Sequence, residues 1–140
     1  MKNTLAVGAA CVSLAGGVTL LAHHSFAAEF DAQKVVRITG TLTKLEWTNP
    51  HSYFYVVGKD DTGVSGTWTC EAGAPGALSR QGFRKGDVKL GDTIIVDGYR
   101  ARDGSNLVDA QRVTLPDGRI VSGAGSGDGR PAAGEAAPAR

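Results

Sequence analysis

The residues best suited to chemistry in this 140-residue chain are its three histidines, His23, His24 and His51. Cleavage after Ala22 would make His23 the first residue of the mature protein. Its α-amine and imidazole could then chelate one metal ion, and His51 could add a further imidazole. Such a nitrogen-rich set suits Cu(II), which favours tetragonal nitrogen ligation and heads the divalent affinity series. Glu29, Asp31 or Glu71 could add a carboxylate. The competing reading is structural: a His-His pair at a chain end is often only a frayed terminus. His51 follows Asn49-Pro50, where a polar ring can simply bond the backbone.

Other chemistry finds little support. There is no nucleophile elbow, Walker loop or HExxH motif, and no pairing is evident for Asp60, Asp61 or Glu71. Cys11 falls within the leader described below, which leaves Cys70 without an intramolecular disulfide partner and without a CxxC motif. The expectation is therefore a non-enzymatic protein, with Cys70 as a small core residue. Charge is balanced, with 15 basic and 14 acidic residues and no basic run, so there is no electrostatic footprint for nucleic acid.

The leader carries Lys2 and then an uncharged run, Leu5 to Leu21, rich in Ala and Gly. That pattern describes a cleaved secretory signal rather than a stable membrane span. It predicts a periplasmic or secreted protein. Cleavage after Ala22 sets Leu20 at −3, whereas cleavage after Ala27 sets Ser25 there and removes His23 and His24. The expected organisation is a signal peptide over 1–22, one folded domain over 23–121, and a disordered Gly/Ala/Pro tail over 122–140. The tail has no bulky apolar residue to offset its ordering entropy.

Between them, alternating apolar residues predict strands. The first is Val35 to Trp47, whose apolar phase slips between Leu42 and Leu45, the mark of a bulge or bend. Ser52 to Gly58 reads as a second strand buried on nearly both faces. Ser65 to Glu71 is a third, with Trp68 and Cys70 on one face. Pro75 opens a short helix that Gly82 closes. Asp92 to Tyr99, Leu107 to Leu115 and Arg119 to Val121 complete the set. The order β-β-β-α-β-β predicts an all-β fold with one short helix, a small five- to six-stranded OB-like Greek-key barrel. A β-sandwich would need about seven strands.

Such barrels bind ligands across a face bounded by the loop after strand one and the loop between strands four and five. Here those loops are 48–51, holding Asn49, and 102–106, holding Asp103 and Asn106. Trp47, Tyr53, Trp68 and Tyr99 on the flanking strands are candidate stacking surfaces for a small organic ligand or a protein partner of the envelope. Against this stands the ordinary tendency of such rings to be core.

Four stretches carry a resemblance: 23–31 (HHSFAAEFD), 46–51 (EWTNPH), 91–99 (GDTIIVDGY) and 103–106 (DGSN). Together they resemble a family of small exported bacterial proteins known as domain of unknown function 6152, from about His23 to Val121. The resemblance implies an exported single domain without an established activity. It also implies that His23 and His24 belong to the mature protein, favouring cleavage after Ala22.

Overall fold

A computed structural model of the chain describes residues 26–126. It is all-β apart from two short helices and a 3-10 turn. The elements run α1 (Phe26–Glu29), β1 (Phe30–Glu46), β2 (Ser52–Asp60), β3 (Ser65–Ala72), α2 (Pro75–Arg80), β4 (Thr93–Ala101), β5 (Leu107–Thr114) and β6 (Ile120–Ser122), with the 3-10 turn at Lys85–Asp87. Five strands close a ring in the order β1-β2-β3-β5-β4-β1. Every pairing in it is antiparallel except β3–β5, where Thr69–Glu71 runs parallel to Leu107–Asp109. β6 extends the sheet beyond β5. Closure hides most backbone edges, the usual hazard of a lone small sheet.

One long strand can pair with both β2 and β4 because it bends. Its register against β2 shifts between Leu42 and Lys44, where the apolar phase slips in the sequence. Gly40 faces Gly58 across that pairing, and a Cβ on either would collide with the partner strand's backbone. The pair lets the strands cross more closely than side chains allow.

The inward side chains include Ile38, Leu42, Phe54, Val56, Trp68, Cys70, Val96, Val108 and Val113, all fully buried. Leu78 of α2 and Phe83 just beyond it close one end. Phe83 stacks on Phe54 with ring centroids 5.4 Å apart. Truncating Phe54 to alanine would cost about 3–5 kcal/mol, as for other buried aromatics. α2 starts on Pro75, and Gly82 follows its end with φ +85°. Cys70 is buried and unpaired, and desolvation pushes its thiol up to about 12.

Several expectations need correction. β2 is not buried on both faces. Ser52, Phe54 and Val56 point inward, Tyr53 and Tyr55 are half-buried, and Val57 is 48% exposed. Among the described residues, no second layer covers that outer face. β1 begins at Phe30 rather than Val35, and the polar stretch between them shifts register against β4. A short helix, α1, precedes it. The folded chain also continues past Val121: Gly123 and Gly125 donate backbone N–H bonds to Gln111 and Ala110 at 2.8 and 3.0 Å, and Ser126 N–H donates to Asp109 Oδ1 at 2.8 Å. A Cβ at Gly123 would strike the Ala110 carbonyl, so the residue type that suggested disorder here permits close packing. Among the described residues, no helix is long and apolar enough to cross a membrane.

Candidate functional site

The cis Asn49–Pro50 loop that follows β1 delivers His51 to the start of β2, where Thr48 Oγ1 donates to the His51 carbonyl at 3.2 Å. Tyr53, two residues on, pairs with Glu71 of β3, and Glu71 pairs in turn with Asp109 of β5. In β3, Glu71 belongs to the set Thr67, Thr69, Glu71 that faces away from Trp68 and Cys70. His51 Nδ1 lies 3.3 Å from Glu71 Oε1; their side chains are 34% and 12% exposed.

This carboxylate sits in an unfavourable field. Burial raises the Glu71 pKa above the ordinary glutamate range, and the charges of Glu29 and Asp109 raise it further. His51 and the Tyr53 hydroxyl act the other way. The Tyr53 phenol is also pushed up, first by desolvation and then by Glu71. Asp109 is fully buried under the C-terminal segment, accepting from Ser126 and, at 2.5 Å, from Gln111 Nε2. Glu29 belongs to α1, which Arg102 holds: Arg102 Nε donates to the Ala27 carbonyl at 2.7 Å and Arg102 N–H to the Glu29 carbonyl at 2.9 Å.

A second polar group lies along β1 and β2. Tyr55 OH donates to Glu46 Oε2 at 3.1 Å, Lys44 Nζ lies 2.5 Å from Glu46 Oε1, and the same ammonium sits 4.8 Å from the Tyr55 ring centre. These groups are partnered by one another.

The chain belongs to a family of unknown function. The family model described as "Family of unknown function (DUF6152)" matches residues 10–108. The match takes in both His23 and His51 and ends at the β3–β5 pairing. No curated protein matches this chain.

Of the residues singled out by sequence, His51, Glu71 and Tyr53 come together. His23 and His24 lie outside the described residues. Asp31 turns elsewhere and caps Gln33 N–H at 3.0 Å. Among the described residues, no group of three or more His, Cys, Asp or Glu side chains could hold a metal ion, so a site with three such ligands needs residues from outside 26–126.

The aromatic platform does not form as expected. Trp68 is fully buried inside the ring, with the Arg100 guanidinium 5.1 Å from its ring centre. Tyr99 is buried too, edge-on to Phe26 of α1 at 5.4 Å. Trp47 is half-buried and packs edge-on against Phe83 at 5.5 Å. Asn49 stays exposed in its loop. Asp103 Oδ1 accepts from Ser105 N–H at 2.8 Å, and Asn106 Oδ1 accepts from Arg100 Nη2 at 3.0 Å, both typical turn-holding roles. The two loops also meet different parts of β3. The 48–51 loop lies at its end, where Ser52 N–H bonds Gly73, and the 102–106 loop lies nearer its start, where Thr69 N–H bonds Asn106. Sequence reasoning passed over Asp109. Its alternation with buried Val108 and Ala110 suggests an exposed side chain, and only the returning C-terminal segment buries it.

Proposed function

We propose that this is an exported, non-enzymatic binding protein of the cell envelope that takes Cu(II) between its mature N-terminal His23 and His51. The observation that carries the reading is the 3.3 Å separation of His51 Nδ1 and Glu71 Oε1. Two ligands about 2.1 Å from one ion, at angles between square and tetrahedral, lie roughly 3.0–3.4 Å apart. The pair therefore has the spacing of neighbouring ligands. The surroundings favour a cation: Glu71 is desolvated and stands in the fields of Glu29 and Asp109. Phe26, the first described residue, follows His23 by three positions, and Glu29 of the same helix acts on Glu71, so the chain joins the fold on this side. Imidazole and amine nitrogen outnumber carboxylate in the resulting set, which favours copper over harder cations. Cys70 does not compete, since its thiol is buried and held protonated.

The experiment is a Cu(II) titration of the protein beginning at His23, followed by d–d absorption and melting temperature. Stabilisation should grow with free copper, as for any ligand that binds only the folded state. It should vanish in His51→Ala and when one extra residue precedes His23. Equal copper binding by the extended protein would overturn the N-terminal chelate. Absence of binding by every form would leave the metal-free alternative, a small organic ligand or protein partner on the outer face of β2, where Tyr53 is half-buried and Val57 exposed.

A further inference from the structure

The other end of β2 holds a recess that this reading does not use. β2 stops at Asp60, which pairs with Ile38, so the part of β1 before Ile38 has no β2 neighbour. A cavity of about 260 Å³ opens there, lined by Lys34, Val35, Val36, Asp60, Asp61, Thr62 and Arg100. We propose that this recess binds a small zwitterion, a molecule carrying an ammonium and a carboxylate a few bonds apart, as α- and β-amino acids do.

Charge argues for that class. The lining carries two cations, Lys34 and Arg100, and two carboxylates, Asp60 and Asp61. A purely anionic ligand would meet the aspartates and a purely cationic one the Lys and Arg. A neutral apolar ligand would desolvate all four without pairing any. Only a dipolar ligand offers a partner to each sign.

Preorganisation argues for binding rather than a passive crevice. Asp60 is only 7% exposed, and its Oδ1 accepts Thr62 N–H, Thr62 Oγ1 and Val64 N–H at 3.0, 2.7 and 2.9 Å. None of these bonds uses Oδ2. Arg100 is anchored likewise: Nε donates to the Ser105 carbonyl at 3.0 Å, and Nη2 to the Gly104 carbonyl at 2.6 Å and to Asn106 Oδ1 at 3.0 Å. None of these uses Nη1. Asp60 is thus fixed through Oδ1 and Arg100 through Nε and Nη2, while Oδ2 and Nη1 take no part in these bonds, so little freedom of these two side chains is lost on binding. The volume lies just below the usual range of ligand pockets, which restricts the recess to a small molecule. Val35 and Val36 line the recess on its β1 side.

The test compares L-alanine and β-alanine with their half-charged analogues, propionate and propylamine, by calorimetry and amide chemical shifts at neutral pH. The proposal expects saturable binding of at least one amino acid, about tenfold tighter than either analogue. Shifts should centre on 34–36, 60–63 and Arg100. Asp61→Asn, a change at an exposed position, should weaken binding severalfold with the melting temperature unchanged. Lys34→Gln should do the same. Equal affinity for propionate or propylamine, shifts centred on His51 and Glu71, or no saturable binding of either amino acid would overturn it. The copper titration is independent of each of these outcomes.

Discussion

Asp60 and Glu71 are two carboxylates of low accessibility and opposite electrostatics. Asp60 ends β2 and is 7% exposed; Glu71 lies near the end of β3 with its side chain 12% exposed. The Asp60 pKa is held below the ordinary range, first by the Thr62 side-chain hydrogen bond and then by the backbone N–H groups of Val64 and Thr62. That of Glu71 is raised by burial, with Glu29 and Asp109 adding to the effect. Low accessibility therefore does not decide what a carboxylate wants. Donors turned towards it do, and a tight turn supplies them where a strand face between two other acids does not.

The comparison breaks most visibly at Asp60. In Asp60→Ala three donors lose their acceptor, one of them a hydroxyl that can turn to water and two of them backbone groups in a tight turn. The melting temperature should fall by on the order of 10 °C. The recess beside it should also lose affinity for amino acids. A melting temperature unchanged from wild type would show that water replaces the carboxylate at no penalty. Asp60→Asn is the milder test, because it keeps an acceptor and removes only the charge. A carboxylate with a depressed folded-state pKa stabilises above its unfolded pKa and loses that contribution as pH falls through the folded value. The variant should thus be less stable than wild type at neutral pH. Urea midpoints should show the gap constant down to about 3.8, the ordinary Asp value, and narrowing below it.

Much of this architecture was legible in the sequence because it rests on local rules. The β1 bulge follows from the slipped apolar phase between Leu42 and Leu45, α2 from Pro75 and Gly82, and the inward pair Trp68 and Cys70 from simple alternation. What escaped was non-local. Alternation within β3 and β5 does not announce their parallel pairing. Four residues of α1 carry no helical period. Composition marked residues beyond Val121 as tail, whereas Gly123 and Gly125 are small so that the chain can lie against Ala110. The site was half legible for the same reason. The histidine and the glutamate were candidate ligands by residue type, but the field around Glu71 comes from Glu29 and Asp109, which only the docking of α1 by Arg102 and the β3–β5 pairing bring near. Trp68 and Tyr99 were misplaced as ligand surfaces because aromatic residue type does not distinguish a ring that faces solvent from one roofed by Arg100 or Phe26.

Glu71→Gln makes the smaller change in stability and sharpens the comparison most, because its sign is reversed. A carboxylate with a raised folded-state pKa contributes its stability below the unfolded pKa and loses it as pH rises through the folded one. Glutamine mimics the protonated acid in shape and charge. The variant of the metal-free protein should therefore be more stable than wild type at neutral pH. That advantage should shrink as pH falls and disappear below about 4.5, the ordinary Glu value. A loss of stability at neutral pH would mean that His51 and Tyr53 already satisfy the charge, and the case for a cation here would weaken. Copper separates the two explanations. If Glu71 is kept as an acid to face a metal, the variant that gains stability without copper should gain less than wild type when copper is added, so the order of the two melting temperatures should narrow or invert. If Glu71 is merely a tolerated defect of the outer face, copper should shift both proteins equally.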